Sequence, residues 1–544
     1  MAKGRVHELL YTPAGAPRFV LPAIVALVMT FAIGWGLMRA VQQTLPDEER
    51  ATALSHTRKF GTAEAIYVRL LRERPSVDLV VALLNNHERA RAARLRRALS
   101  RGVAGDTDLT PDEIVMSDEA LDGLIEALPP DVALVGRFWR AANKGAPPED
   151  LTDRVTEAAD RDPPLAFTNH ALARRALKAQ DYDEAAKRFE REGVHFRERA
   201  SDVDVALALW MKADAWDHVR ARLADPRVAA AAGPSSKYRF AVHERDWRAA
   251  VKWLFLEYRP APTKAGLILS GVAMLAWAFF CARLGKIGDR WKLRAPLYLF
   301  ALALGVLSIA PTVLLIAVEE AQLKLVATGD PARDVIYFVF GVGLREEASK
   351  LLLFLPLVPI LRKWGDRLDV LVCGAFVGLG FAAEENLNYL ASGDIHAGLG
   401  RFLTANFFHM ALTGTLAAAL DDFLRDREKY AADFSRTALM IVGMHGAYDF
   451  LLSHDEFGGG YFAMGVYFFL VRMFLGSVDA ARRRADRVLS LTHVFVLALA
   501  VVTGTCAVYA VSALGPTQGA LVLAEGLLGV AILIYAFIRT LREI

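Results

Sequence analysis

GVGLREEASKLLLFLPLVPI, residues 341–360, decides the fold class of this chain. It belongs to an apolar block that opens near residue 335 and has the length of a membrane-spanning helix. In its middle, however, Arg345, Glu346, Glu347 and Lys350 crowd into six positions. An Asp, Lys or Arg at a helix centre costs on the order of 2.5–3.5 kcal/mol on membrane insertion. Such groups persist only where they face protein or a water-filled cavity, pair with one another, or carry out chemistry. The stretch therefore predicts a helix inside a polytopic bundle, with neighbours that receive its charges.

The rest of the chain supports that reading. Of its 544 residues 54% are hydrophobic, too many for a soluble protein, while the charged share of 23% is too high for a pure membrane bundle. The apolar residues are unevenly spread. Residues 45–260 are charged and periodic, whereas almost everything after 264 falls in apolar blocks of about 20 residues. A net charge of +3 excludes a nucleic-acid partner as the main reading. Cys281, Cys373 and Cys506 all lie in apolar blocks and lack zinc-ligand or CxxC spacing, so they read as small apolar fillers.

The expected fold is all-α: a polytopic helical membrane protein of about ten spans, with an extracytoplasmic α-solenoid between spans 1 and 2. FVLPAIVALVMTFAIGWGLMRAV follows a basic N-terminus (Lys3, Arg5, Arg18) and reads as an uncleaved anchor. Further blocks begin near 264, 296, 335, 368, 402, 437, 461, 490 and 518. The loops GKIGDRWKLR (285–294), LRKWGDR (361–367), RDREK (425–429) and ARRRADR (481–487) are rich in Lys and Arg and fall in alternate positions. SHDEFGGG (453–460) and GPTQG (515–519), between them, carry almost none. The positive-inside rule then puts both termini in the cytoplasm and the 45–262 segment outside. The expected divisions are 1–44 for the N-terminus and anchor, 45–262 for the helical domain, and 263–334 for spans 2 and 3. A charge-bearing membrane core follows over 335–455, with the last spans over 456–544.

Residues 45–262 repeat. Phe60-x-x-Ala63-x-x-x-Tyr67, Tyr182-x-x-Ala185-x-x-x-Phe189, Trp216-x-x-Val219-x-x-x-Leu223 and Trp247-x-x-Ala250-x-x-x-Leu254 place an aromatic, a small and a large apolar residue on one helix face. The spacings of 34 residues from Tyr182 to Trp216 and 31 from Trp216 to Trp247 resemble those of tetratricopeptide repeats. KFGTAEAIYVRLLRERP even carries their terminal proline, Pro75. A concave helical array of that kind suits an extracytoplasmic protein or peptide partner.

Three further spans carry ionisable groups. GLGFAAEENLNYLASG (378–393) holds Glu384, Glu385, Asn386 and Asn388; NFFHMALTGTL (406–416) holds His409; IVGMHGAYDFLL (441–452) holds His445 and Asp449. Glu346 and Lys350 are four apart with the acid first, the better order for an ion pair, and Glu347 competes at three. Glu346 and Glu347 lie about 100° apart around the axis. One is therefore expected to be neutralised by Lys350 or Arg345 while the other faces the bundle interior as a general base. His445 and Asp449 share a face, as do Phe381, Glu385 and Tyr389. Gly374 and Gly378 form a GxxxG that lets a neighbouring helix come close. Carboxylates and histidines on facing helices suit water activation, with or without a divalent metal, or proton relay in a transporter. No GxSxG serine site and no HExxH zinc site is present.

The ordered set Glu346-Glu347-x-x-Lys350, GFAAEEN with Tyr389, Arg401 ahead of His409 and Thr413, and MHGAYD resembles the motifs of the PrsW intramembrane proteases. These are distant relatives of the CAAX- and bacteriocin-processing membrane proteases. The likeness covers about 335–455. The wider superfamily pattern EExxxR, FxxxH, HxxxN stands here as EExxK, Phe381-x-x-x-Glu385 and His445-x-x-x-Asp449, which points to the PrsW branch.

The resemblance implies a bacterial inner-membrane endopeptidase that cleaves a membrane-protein substrate, such as an anti-sigma factor or another envelope signalling protein. It implies Glu346 or Glu347 as the water-activating base, with His409 and His445 stabilising the oxyanion and donating a proton. Lys350, Glu385, Asn386 and Asp449 are implied as supporting residues. The favoured expectation needs no cofactor; the alternative is zinc held by Glu346, Glu347, His409 and His445. The competing functions are a proton-coupled transporter and an inactive scaffold displaying the helical domain. No inverted repeat with Gly/Pro-interrupted helices supports the transporter.

Overall fold

The computed structural model describes residues 24–36, 46–56, 59–101, 115–259, 264–391, 395–454, 459–482, 491–514 and 516–541. Lys3, Arg5 and Arg18, residues 483–487 of the loop ARRRADR and residues 455–458 of SHDEFGGG lie outside the described residues. Among the described residues every regular element is a helix. The chain divides into two compact units, one of Met1–Met38 with Arg259–Ile544 and one of Arg39–Tyr258.

In the first unit the helices are α1 (Ile24–Gly36), α2 (Lys264–Leu284), α3 (Trp291–Leu307), α4 (Ile309–Val318), α5 (Leu344–Phe354), α6 (Arg367–Ala391), α7 (Ile395–Arg425), α8 (Arg427–Ser453), α9 (Gly459–Ala481), α10 (Leu491–Leu514) and α11 (Pro516–Thr540). Six helical segments among the described residues are long and apolar enough to cross a membrane: Gly266–Leu284, Ile287–Val318, Phe402–Arg425, Gly460–Ala481, Leu491–Ser512 and Gly519–Thr540. The chain is thus an all-α, multi-pass membrane protein. The four other expected spans are the shorter α1, the helical run around α5, and helices α6 and α8; the last three carry ionisable residues of the site.

One helix stands at the centre. The apolar window of α7 is 94% buried, against 31–61% for the other five segments. It packs along α6, with α8, α9 and α11 also against it. Small residues permit the approach of α6. A Cβ on Gly374 would lie 2.9 Å from the Gly414 Cα, and one on Gly378 would strike the His409 carbonyl. The GxxxG of α6 therefore presses the helix onto the turn of α7 that carries His409. A second close crossing sets α8. A Cβ on Gly343 would come 2.6 Å from the Val442 carbonyl, and one on Gly446 would come 2.6 Å from that of Phe338. Both crossings would open if a side chain were added, because interiors this dense leave no slack.

The helix leading into α5 is not regular. A turn of α-helix, Pro331–Ile336, widens into a π-helical segment, Tyr337–Gly343, before α5 begins. Such widening rotates the residues after it relative to those before, and it is common beside functional sites. Glu346 and Glu347 lie in the first turn of α5, immediately after the widening.

In the 39–258 unit three turns share one geometry. Gln180, Asp214 and Arg245 each take a left-handed φ, at 61°, 59° and 58°. The N–H of the next residue then donates back across the turn at 2.9 Å: Asp181 to the Ala176 carbonyl, Ala215 to Trp210, Asp246 to Ala241. This closes the helix end as a Schellman turn. A left-handed residue with a Cβ costs about 1–2 kcal/mol, and the same device closes the helix at all three places. The aromatic residue of the sequence pattern opens the following helix each time, in Tyr182–His195, Trp216–Ala224 and Trp247–Glu257. The small and large apolar residues are enclosed, for example Ala185, Phe189, Ala250 and Leu254. Tyr182 and Trp247, however, are about half exposed, at 51% and 49%. Helical side chains lean toward the N-terminus, so one on the first residue has no earlier turn of its own helix to lie on. Apolar side chains form two clusters, one from Ala51 to Ala171 and a smaller one from Ala173 to Ala232.

Candidate active site

Four helices bring their ionisable residues to one enclosed place. Lys350 of α5 is fully buried and is the hub. Its Nζ donates to Glu347 Oε1 at 2.8 Å and to His409 Nδ1 at 2.9 Å, with a longer contact to Glu346 Oε2 at 3.5 Å. The ammonium also sits 3.9 Å from the ring centre of Phe381, where the π face adds a further favourable contact. An ammonium has three donors and no acceptor. Lys350 thus has three partners, which explains how a lysine can remain in this interior.

The two adjacent glutamates have different surroundings. Glu347 Oε1 accepts from Lys350 and from His445 Nδ1 at 2.9 Å, and its Oε2 accepts from the Thr413 hydroxyl at 3.3 Å. Glu346 meets only long contacts through Oε2, to Lys350 at 3.5 Å and to His445 Nε2 at 3.6 Å. Glu347 is tied on both oxygens; Glu346 is loosely held. The spacing argument had favoured Glu346 as partner of Lys350, but the shorter bond goes to Glu347. Arg345 is drawn the other way, into a buried ion pair with Glu319 just past the end of α4.

The histidines are oriented by their partners. Because Lys350 donates to His409 Nδ1, that nitrogen is the acceptor and the ring proton sits on Nε2, directed at Glu385 Oε2 at 2.9 Å. His445 presents Nδ1 to Glu347 and Nε2 to Glu346 and to Asp449 Oδ2, the latter at 3.4 Å. The two rings lie 5.2 Å apart, centre to centre, and Phe408 packs against both.

Of the sequence candidates, Glu346, Glu347, Lys350, Glu385, His409, His445 and Asp449 therefore converge. Asn386 does not join them. Its amide donates to Asn406 Oδ1 at 3.1 Å, and Asn406 in turn donates to the Phe402 carbonyl, so it cross-links α6 and α7 beside the site. Tyr389 shares the face of Phe381 and Glu385 but is exposed, and the Arg401 side chain lies outside the described residues. Glu319 was missed. Its only signal was an acid pair closing the apolar block LSIAPTVLLIAVEE, opposite the unassigned Arg345.

One ligand atom each from Glu346, His409 and His445 lie within 4.8 Å of one another. One carboxylate and two imidazoles make a donor set found in catalytic zinc sites, so the residues fit a metal by type and proximity. Both nitrogens of His409 already have partners, Lys350 and Glu385, and a metal there would displace one of them.

Residues 294–475, which contain all of these side chains, match the sequence family described as PrsW family intramembrane metalloprotease. Among curated proteins, Protease PrsW of Clostridioides difficile (strain 630) is 26% identical over 148 residues. That likeness covers 26% of this chain and 62% of the relative, so the chain spans less than two thirds of the relative's length. No solved structure matches.

Proposed function

We propose, from the match of residues 294–475 to the PrsW family, that the chain is an intramembrane endopeptidase in which Glu346 activates the attacking water. The observation that carries the assignment is the unequal holding of the two glutamates. Glu347 has both oxygens engaged and serves to orient Lys350 and His445. Glu346, with no contact shorter than 3.5 Å to either, is the carboxylate with room to accept a proton.

In the proposed reaction Glu346 takes a proton from water as the water oxygen bonds to the scissile carbonyl carbon. The oxyanion that forms accepts a hydrogen bond from His445 Nε2, whose contacts to Glu346 and Asp449 are long at 3.6 and 3.4 Å, and His409 assists once its Nε2–H turns from Glu385. The C–N bond then breaks, and the leaving amine takes the proton held by Glu346, with His445 adjacent to share it. Glu385 and Asp449 hold the two rings in place. A zinc held by Glu346, His409 and His445 is the second reading, favoured by their proximity; it would polarise the carbonyl and make bound water more acidic. Metal content of the purified protein, with cleavage before and after chelation, separates the two readings.

The substrate class is a membrane protein, and the location the bacterial inner membrane, with both termini cytoplasmic. In this reading residues 45–262 form an extracytoplasmic helical array of tetratricopeptide type that recruits substrates or regulators. The deciding experiment compares membrane-protein N-termini by mass spectrometry in cells carrying the wild type or Glu346→Gln. New termini in or beside membrane spans, present only with wild type, are expected. If none appear under a range of envelope stresses while the variant inserts stably, the protease reading fails and the transporter and scaffold remain, separated by flux measurements.

A further inference from the structure

The 39–258 unit contains a cleft of about 280 Å³ between two of its helices, Pro130–Lys144 and Thr168–Lys178. Its apolar lining residues Trp139 and Ala171 belong to the first apolar cluster. Trp139 forms part of its floor, with Ala142, Pro147 and Ala171 beside it. Trp139 is itself held in place: its Nε1 donates to Asn85 Oδ1 at 3.2 Å. The floor is therefore a rigid apolar surface. The volume lies just below the about 300–1,000 Å³ of ordinary small-ligand sites, so it suits a group the size of a side chain or two.

Its charge is one-sided. Arg174, Arg175 and Lys178 line the cleft, and no acidic residue does. Several other arginines of this unit face carboxylates: Arg140 faces Asp118 and Asp122, Arg188 faces Asp160 and Glu184, Arg199 faces Asp78 and Glu192, Arg220 faces Asp217 and Glu244, and Arg222 faces Glu190. Among the described residues neither Arg174, Arg175 nor Lys178 enters an ion pair. Arg174 instead lies 5.1 Å from the Trp139 ring centre, and Lys178 donates to the Ala142 carbonyl at 3.1 Å. All three are solvent-accessible, so their charges are hydrated and available. Three adjacent cations without counter-charges, over an aromatic floor, are complementary to an anion that carries apolar surface beside it.

We propose that this cleft binds a peptide segment carrying a carboxylate next to an aromatic or aliphatic side chain. The apolar side chain lies on Trp139, Ala142 and Pro147, and the carboxylate meets Arg174 and Arg175, whose planar guanidinium groups match its geometry. The proposal deepens the recruiting role assigned above to this part of the chain. Its test reads binding alone, so it can fail without touching the protease reading, and the reverse also holds.

The experiment uses the full-length protein in detergent and a short fluorescein-labelled peptide, blocked at both ends, with a central phenylalanine–glutamate pair. Two companions replace the glutamate by glutamine, one with blocked ends and one with a free C-terminal carboxylate as its only acid. Fluorescence anisotropy is expected to show saturable binding of the acidic peptide and at least about tenfold weaker binding of the neutral one, as for loss of a charge-assisted contact. Binding of the third peptide equal to the first would show that the cleft accepts a terminal carboxylate as well as a side-chain one; binding like the second would restrict it to acidic side chains. Arg174→Gln with Arg175→Gln, both exposed, should weaken the preferred peptide at least about tenfold, and Ala146→Glu at the rim should do the same by repulsion. Equal affinity for acidic and neutral peptides, no binding of any, or binding unchanged in both variants would overturn the proposal.

Discussion

Glu192 in the 39–258 unit and Glu347 in the membrane unit are almost completely enclosed, at 0% and 1% exposure, yet they are surrounded by different kinds of group. Glu192 accepts the backbone N–H of Phe167 at 2.7 Å and of His170 at 3.4 Å, and faces Arg199 at 3.3 Å. Those N–H groups belong to the start of the helix Thr168–Lys178, which has no side-chain cap of its own because Phe167 stands at that position. Glu192 is a helix cap supplied from another helix. Glu347 instead meets Lys350, His445 and Thr413, all side chains. A carboxylate bound to backbone serves the fold; one bound to titratable side chains can take part in proton movement.

The membrane itself is not what separates the two cases. Arg294 and Asp369 are also buried in the membrane unit and pair at 2.7 Å. Like Glu192 they are tied to backbone: Asp369 accepts the Asp366 N–H at 3.1 Å and Arg294 donates to the Lys286 carbonyl at 2.9 Å, while the Tyr298 hydroxyl lies within hydrogen-bond reach of both the Gly285 carbonyl, at 3.0 Å, and Asp369, at 3.2 Å. That cluster joins the end of α2 to α3 and α6. The test of function is therefore the identity of the partners, not burial or depth.

The largest expected effect separates the two glutamates of α5. Glu346→Gln should lower cleavage by about 10²–10⁴, the usual worth of a general base, with the thermal unfolding midpoint close to wild type. Glu347→Gln should abolish cleavage as well and also lower the midpoint, because Lys350 and His445 lose their closest acceptor. Retained activity in Glu347→Gln, or a large stability loss in Glu346→Gln, would reverse the assignment. Lys350→Met should cost about 3–5 kcal/mol in stability, since it leaves buried carboxylates without their cation; an unchanged denaturation curve would refute its role as hub. Glu192→Ala should cost about 1–3 kcal/mol by orphaning the helix start, while cleavage per folded molecule stays at the wild-type rate. A loss of specific activity there would break the distinction drawn between the two units.

Most of the site was legible in the sequence because the membrane makes charge conspicuous. Glu346, Glu347, Lys350, His409, His445 and Asp449 stood out against apolar runs, and i, i+4 spacing correctly placed Asp449 beside His445. The close α6–α7 crossing was legible too, from Gly374 and Gly378. Three things were not. The π-helical turn before α5 has no sequence signature, and α5 gives the shorter Lys350 bond to Glu347 rather than Glu346. The Glu319–Arg345 pair joins residues 26 apart, beyond any local periodicity. Asn386 bonds to Asn406 across two helices, a choice that depends on their rotation about each other. In the 39–258 unit the aromatic pattern located the helix starts, but burial of the aromatic itself depends on what covers the helix end.

The smallest effect concerns a surface group and tests whether exposed charge in the 39–258 unit matters at all. Asp118 opens the helix Asp118–Glu126 and lies 3.1 Å from the Lys144 ammonium. The hydrogen bond from Lys144 is the main cause that brings its carboxyl down to about 2, with Arg140 assisting and partial burial opposing. A folded-state value below the ordinary one of about 3.9 means that the charged form stabilises the fold. That stabilisation is complete above about pH 4 and is lost as pH falls toward 2. Because the side chain is 45% exposed, screening by solvent limits it to less than about 1 kcal/mol. Asp118→Asn should therefore unfold slightly more easily than wild type at pH 6 and low salt. The difference should shrink in high salt and fade as the pH falls through and below about 2, where wild type becomes the neutral acid too. A difference that stays at its pH 6 size through that range would show that the asparagine acts through packing or helix capping, and the ion pair with Lys144 would then carry no stability of its own.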